Sequence, residues 1–493
     1  MPKPHSGEKQ KDFISRCIPY LIKEGKSQEQ AAGACYGIWK NKMEEMQQTD
    51  NSIINFLFPT AKPIINPNPN GNIDTVNLKD KTIMVVDHGI FTYLAEKLVP
   101  YFKKVYYFCH YQEEFQTLHQ ISIGLGLPGV INVHDIFEVD DVDLYIFPNT
   151  YDSILQTQLL KMGKNVFGGR KGDELELNRW YGLQKLQEIG LPVPNLTRII
   201  GLNSLIEFLK TVENKYIKIS GLRGIGETWH FSNYQECEQY LNVELRENCG
   251  GLENYIEFLI FDPIGDKNSI ETGMDSICID GQFSDMVSYG YEIKDACYVC
   301  KYVKYEQLPQ IIKNSTDKLQ NTLKEYGYRN FFSDELRIAN TVPYLIDFTC
   351  RLGSPSGELL IENIENIAEV IWYGAQGQSI PLKMKYVYGV QAHIKSCFVQ
   401  ENWQTVFIDE SVKPFVKLRN YCIVDGKYYV IPNPMGYDEV GTILGFGNTL
   451  EEAIIHLQNN AEKVSGFQIE IELDAIEKGI NQIKEGLKIG INF

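Results

Sequence analysis

The sequence predicts an α/β protein, with a doubly wound parallel sheet near the front and a strand-rich region behind it. Three observations carry this expectation. From Lys79 onward the apolar runs "KTIMVVDHG", "VYYFCHY", "GVINVHD", "VDLYIFPN" and "KNVFGG" alternate with helical segments, the rhythm of strands joined through crossover helices. From residue 215 strands follow one another across glycine-rich turns instead, as in "KYIKISGLRGIGETWHF" and "ETGMDSICIDGQFSDMVSYGYEI". With 493 residues, 43% of them hydrophobic, the chain can build two or more cores.

In chain order, residues 1–45 read as a helical hairpin. "EKQKDFISRCIPYLIKEG" and "SQEQAAGACYGIWKNKMEEM" both carry apolar residues at helical spacing, and Lys26-Ser27 supplies the break and the N-cap. Cys17, Cys35 and Trp39 are its expected small core. Residues 46–78, rich in Pro and Asn, read as a linker. Residues 79–172 form the parallel-sheet domain. A second domain spans 173–385: the helix "DELELNRWYGLQKLQEIGLPVPN" (173–195), stopped by Gly190 and two prolines, then strands, a long helix over 305–327, and the strand pair "FFSDELRI…PYLIDFTC". Residues 386–493 are a strand-rich end with the helix "TLEEAIIHLQNNAEKV" and an amphipathic tail.

Charge and composition exclude several classes. The 47 basic residues against 64 acidic ones leave a net charge of −17, which opposes nucleic acid and anionic membranes globally. No run of about 18 apolar residues is present, and the N-terminus is polar. The expectation is a soluble, cytoplasmic protein. Its 11 cysteines are scattered, and "CYVC" (297–300) has no second pair to complete a zinc site; they read as reduced, buried small hydrophobes.

Two stretches point to chemistry. In "YIKISGLRGIG" (216–226) a strand delivers Lys218 to a loop with Gly221, Gly224 and Gly226. Glycines let backbone N–H groups approach phosphate closely, and the lysine adds a point charge; a glycine turn in a hairpin reads equally well. In "YLIDFTCRLGSPSGE" (344–358), Asp347, Thr349 and Arg351 occupy alternate positions and share a strand face. An edge strand with its polar face in water would look the same. Glu335 stands twelve residues before Asp347, across the turn "ANTVP", so antiparallel pairing places the two carboxylates side by side. Mg²⁺ held between them and a triphosphate would relieve their repulsion. Thr349 would add a neutral oxygen and Arg351 a donor fork.

Lysine on a strand, glycine loop, "YIEFL" strand, paired acids and "CRLG", in that order, resemble the ATP-grasp superfamily, and within it phosphoribosylamine–glycine ligase (glycinamide ribonucleotide synthetase). "LRGIG" is similar to that family's "GLAAGKG" loop, and "YIEFL…ETGMDSICIDG" to its "EEFLxGxExS…DG". "IDFTCRLGSPSGE" looks like "xEFNxRFGDPE", and residues 441–476 resemble its C-terminal "GRVLxVTxxGxTLxEA" segment. The similarity spans roughly residues 80–480. It implies an ATP-grasp fold between the parallel-sheet domain and the strand-rich end. Asp347 stands where the family has glutamate and Thr349 where it has asparagine, so a second metal would be held loosely or not at all. Arg179, eleven residues before Gly190, takes the place of an ATP-binding lysine. The family's "GxGGREH" segment is "VDHGIFTYL" here, and its "GDPE" is "GSPS".

The resemblance further implies that Glu257 meets ribose or adenine at the hinge, and that Glu271 or Asp275, on one strand face, meets the ribose; surface glutamates on a solvated face are the alternative. His88 is either a contact of the acceptor substrate or a turn histidine. The hairpin resembles N-terminal segments of tailed-phage proteins, "FxxRCI…QAxAxCYxxW", which implies a phage-encoded protein with a docking or processing appendage for a protein partner. Two functions follow. One is a carboxylate–amine ligase using ATP with Mg²⁺ or Mn²⁺, in which Lys218 and Arg179 hold phosphates and Arg351 steadies the transferred group. The other is an ATP-grasp shell that binds nucleotide or a partner without turnover. A dehydrogenase is excluded for lack of a GxGxxG turn.

Overall fold

The computed structural model describes residues 10–24, 26–28, 30–35, 38, 76–109, 120–220, 228–265, 269–433 and 436–493. It forms two compact units, Met1–Lys62 with Thr449–Glu451, and Pro63–Asn448 with Glu452–Phe493. In the first, the helix Gln10–Lys23 packs Phe13, Ile14, Cys17 and Leu21 against Ala31 and Cys35. The expectation that every cysteine is reduced is corrected here: Cys17 and Cys35 form a disulfide, their Cα atoms 6.0 Å apart. So small a core gains from a covalent staple. The other nine cysteines are in no disulfide, and seven of them are buried. Trp39, and the linker before residue 76, lie outside the described residues.

The larger unit opens with a five-stranded parallel sheet. Its strands are β1 (Thr82–Asp87), β2 (Lys104–Cys109), β3 (Val130–Asn132), β4 (Leu144–Ile146) and β5 (Asn165–Phe167), in the order β3-β2-β1-β4-β5. β1 is buried along its whole length because it is covered on both faces. Ile83 and Val85 pack with the helix Thr92–Leu98, while Met84 and Val86 pack with Leu159 of the helix Ser153–Lys161. This is the doubly wound arrangement expected.

The expected helix over 173–195 is broken in two. Asp173–Leu177 ends at Asn178, whose non-helical backbone starts a second helix, Arg179–Glu188, and whose side chain accepts the Tyr181 N–H. An antiparallel sheet follows, β6 (Leu196–Ile200), β7 (Lys215–Ser220), β8 (Thr228–Phe231) and β9 (Glu257–Phe261), in the order β6-β9-β7-β8. It closes over its own core of Leu205, Leu209, Ile217, Phe231, Phe258 and Ile260. The glycine loop of residues 221–227, with Gly221, Gly224 and Gly226, lies outside the described residues.

The largest sheet has ten strands. β10 (Ile270–Ile279), β11 (Gln282–Phe283), β12 (Met286–Ile293), β13 (Cys297–Lys304), β14 (Arg329–Ala339) and β15 (Val342–Thr349) are joined by β16 (Tyr388–Lys395), β18 (Val416–Leu418), β21 (Glu439–Gly447) and β23 (Glu470–Ile471). β17 (Gln404–Ile408), β19 (Tyr421–Val424), β20 (Lys427–Val430) and β22 (Val464–Ser465) form a small sheet of their own. The helix expected over 305–327 runs as Gln310–Glu325, because Pro309 suits its N-cap and not its interior.

Candidate active site

The site is built on the hairpin of β14 and β15. Its two-residue turn, Asn340-Thr341, has positive φ at both positions (50° and 64°), the geometry that matches strand twist in a tight hairpin. The register sets Glu335 opposite Asp347 and Ser333 opposite Thr349. A bulge between Glu335 and Leu336 leaves Ile346 out of the ladder. The carbonyl of Ile346 is thereby free to accept Lys218 Nζ from β7, at 3.1 Å.

Lys218 also donates to Asp347 Oδ2. Arg179 reaches the other oxygen of the same carboxylate, Nε to Oδ1 at 3.5 Å, while its Nη1 donates to the Ile219 carbonyl at 2.7 Å. Lys218, Arg179 and Asp347 thus form one ion cluster, with Lys218 12% and Asp347 25% exposed. Together with Leu175, Glu176 and Ile346 they line a narrow slit between β7, β15 and the Arg179 helix. Arg351 lies just past β15: its Nε donates to Glu176 Oε1 at 2.9 Å, and Glu176 Oε2 accepts the Cys350 N–H at 2.8 Å.

Glu335 is in a different electrostatic state. Its side chain takes part in no hydrogen bond or ion pair among the described residues. Burial and then the neighbouring Asp347 push its carboxyl from 4.5 up to about 7, against the pull of Lys218. Glu335 and Thr349 line a second cleft with Glu271, Asp275, Ser333 and Glu292. The Glu292 carboxyl is pushed well above its ordinary range by burial, then by Glu335 and other nearby acids. Among the described residues no three His, Cys, Asp or Glu side chains converge as a complete metal-binding group. Glu335 and Asp347 nevertheless fit a hard cation whose other ligands are phosphate oxygens and water, because two facing carboxylates with one of them unpartnered are what such a cation neutralises.

The remaining predicted residues are engaged within the protein. Glu257 begins β9 opposite Ser220, the last residue before the glycine loop. It pairs with Arg198, whose guanidinium lies 5.0 Å over the Trp180 ring. Glu271 pairs with Arg337, its cross-strand neighbour. Asp275 lines the same cleft as Glu271 but is enclosed by hydroxyl donors. It is 4% exposed and accepts Tyr298 and Ser333 hydroxyls at 2.6 Å each, Ser288 at 3.2 Å, and Ser356. Burial raises its carboxyl above the usual range against these four donors. His88 stands at the end of β1 with its Nε2 3.1 Å from Asp152 Oδ2.

Two acids escaped the sequence reading. Glu292 continues the alternation Ser288, Gly290, Glu292 on the β12 face, a pattern that could have revealed it. Glu176 sits three residues before Arg179, hidden in what reads as one continuous helix.

A parallel-sheet domain, a small antiparallel sheet that delivers a lysine, and a large antiparallel sheet that faces it with paired acids make up the ATP-grasp fold. The solved structures similar to this chain share it. A phosphoribosylamine–glycine ligase from Thermotoga maritima is 16% identical, with 80% of this chain and 99% of that one covered at a TM-score of 0.61. The biotin carboxylase domain of 2-oxoglutarate carboxylase from Hydrogenobacter thermophilus, solved with MgADP, ADP and bicarbonate, is 11% identical over 82% and 95% of the two chains, TM-score 0.59. An L-amino acid ligase from Bacillus licheniformis is 15% identical over 79% and 99%, TM-score 0.50. No family model matches the sequence, and no curated protein matches it.

Proposed function

We propose that the protein is an ATP-dependent carboxylate–amine ligase. The substrate carboxylate attacks the γ-phosphorus of ATP, giving an acyl phosphate and ADP. An amine then attacks the acyl carbon and phosphate leaves, so the products are an amide, ADP and phosphate. The observation that carries this reading is the convergence of Lys218 and Arg179 on Asp347, directly opposite the unpartnered Glu335. Lys218 and Arg179 hold phosphate oxygens, and Arg351 steadies the transferred phosphoryl group. Glu335 and Asp347, with Thr349 beside them, would hold Mg²⁺, which neutralises phosphate charge when bound. Glu257 and Glu271 flank the nucleotide. Such chemistry is mainly positioning and charge neutralisation, which suits a site built of cations and carboxylates.

A second reading, a shell that binds nucleotide or a partner without turnover, is favoured by the occupation of Asp347 by Lys218. The domain limits near 172 and 385, and the hairpin as a docking appendage, belong to the same proposal. Thermal unfolding with and without MgATP, for the wild type and a Glu335→Ala/Asp347→Ala double variant, tests the site. At a hundredfold excess over Kd a native-state ligand stabilises by about 2.7 kcal/mol. A Mg²⁺-dependent rise lost in the double variant supports the reading; the absence of any rise at millimolar MgATP refutes it. ADP release in a screen of acids and amines then separates ligase from shell.

A further inference from the structure

Glu176 is 2% exposed, at the end of a five-residue helix. A carboxylate so deep in the protein is costly unless ion pairs and hydrogen bonds replace its water. Its two oxygens are spent on adjacent residues just past β15: Oε1 on Arg351 Nε and Oε2 on the Cys350 N–H, at 2.9 and 2.8 Å. The rest of the Arg351 fork is lightly held. Nη1 makes one long bond, 3.4 Å to its neighbour's carbonyl at Leu352, and Nη2 makes none among the described residues. The guanidinium is thus anchored by its inner nitrogen and left with donors to spare.

The segment that supplies Glu176 is itself fixed. Asn178 turns the chain so that Arg179, three residues on, reaches Asp347 and the Ile219 carbonyl of β7. Gly182 lies so close to the Leu175 carbonyl that a Cβ there would come within 2.5 Å of it, so the two helices pack backbone to backbone. One rigid segment therefore holds Arg351 in a set position relative to Lys218 and Asp347.

We propose that Glu176 is a positioning residue for phosphoryl transfer, aiming the free donors of Arg351 at the group in flight. The proposal rests on the ligase reading, in which Arg351 contacts that group and the nucleotide's own phosphates are held by Lys218 and Arg179. It separates two affinities that a merely structural acid would move together. MgADP alone does not engage Arg351, whereas MgADP with aluminium fluoride, which mimics the phosphoryl group in flight, does.

The test is titration calorimetry of the full chain with MgADP, in the absence and presence of aluminium fluoride. For Glu176→Gln, which keeps the shape but can satisfy only one of the two donors, the expected result is MgADP affinity within about twofold of wild type. The additional tightening from aluminium fluoride should fall about tenfold, in line with the loss of one charged hydrogen bond. Arg351→Lys leaves Glu176 an ion-pair partner, so it guards against a fold defect in the first variant, and it should show the same selective loss. In an Arg351→Gln background Glu176→Gln should add nothing, because residues acting through one group are not additive. Equal weakening of MgADP alone, or additive effects in the double variant, would overturn the proposal. Wild-type protein that binds no MgADP would overturn the ligase reading and this inference with it, whereas tight MgADP binding indifferent to aluminium fluoride would sink only the role given to Arg351 and Glu176.

Discussion

Replacing Lys218 by methionine asks the site two questions at once. In the structure Lys218 is committed to Asp347 and to the Ile346 carbonyl, so an arriving phosphate must draw it away from the carboxylate. A charged hydrogen bond to phosphate is worth about 1.5–3 kcal/mol, and the partly exposed ion pair given up in exchange about 1 kcal/mol or less. The net loss for Lys218→Met is therefore about 1–2 kcal/mol, or roughly 5- to 30-fold in MgADP affinity. The second consequence runs the other way. Without Lys218, Asp347 loses a charged donor while the 3.5 Å contact to Arg179 remains, and it faces Glu335 with more of its charge uncompensated. Affinity for Mg²⁺ in the absence of nucleotide should therefore rise. Calorimetric titration with MgADP and, separately, with MgCl₂ reads both effects. Unchanged MgADP affinity would refute the phosphate-holding role of Lys218. Unchanged or weaker Mg²⁺ binding would refute the idea that lysine and cation compete for one carboxylate.

Two further outcomes test the frame around the site. Glu362 is buried among Lys97, Lys385 and Lys417, at 2.8, 3.1 and 3.0 Å; burial alone would raise its carboxyl, but the three lysines hold it at about 2, below the ordinary 4.5. Because the folded value is the lower one, the stabilisation is complete above pH 4.5 and is lost as pH falls toward 2. Its size is about 3 kcal/mol, so Glu362→Gln should lower the urea midpoint at pH 7 and remove that share of the acid dependence; an unchanged midpoint would show the cluster to be dispensable. In the N-terminal hairpin, Cys17→Ser opens a disulfide spanning 18 residues, a loss of about 3 kcal/mol for a unit with little other core. Limited proteolysis should then cut within residues 10–35 while the larger unit stays intact, and resistance equal to wild type would mean that the hairpin's apolar contacts suffice.

What the sequence revealed depended on how locally each feature is determined. The parallel strands announce themselves because a strand covered on both faces is apolar at every position, as in "TIMVVD". The pairing of Glu335 with Asp347 could be anticipated because a short turn and the two-residue period leave a hairpin few registers. The burial of Asp275 was not legible in the sequence. Its surroundings are hydroxyls from Ser288, Tyr298, Ser333 and Ser356, which only the folded sheet and the helix Ser356–Asn363 bring together. The helix break at Asn178 was hidden because asparagine serves inside a helix at modest cost and as an N-cap at a gain, and with the break hidden, so was the inward turn of Glu176. The Cys17–Cys35 bridge needs the distance between two helices, which spacing along the chain does not supply.

One face of the large sheet collects acids, and each is compensated differently. Asp275 accepts from hydroxyls, Glu271 is paired with Arg337, and Asp347 with Lys218 and Arg179. Glu335 and Glu292 line the same cleft, and their side chains take part in no hydrogen bond or ion pair among the described residues. A nucleotide entering this cleft alone would add phosphate charge to carboxylates that already repel one another, and in a poorly solvated site that repulsion is stronger than in water. If it arrives with a divalent cation, the balance reverses. Glu335 and Asp347 would hold the cation, whose charge would offset their repulsion, and Lys218, released from Asp347, would be available to the phosphates. Under the proposed ligase reading, the Lys218–Asp347 pair would be the resting state of the nucleotide site, holding its charge in check until metal and phosphates arrive together.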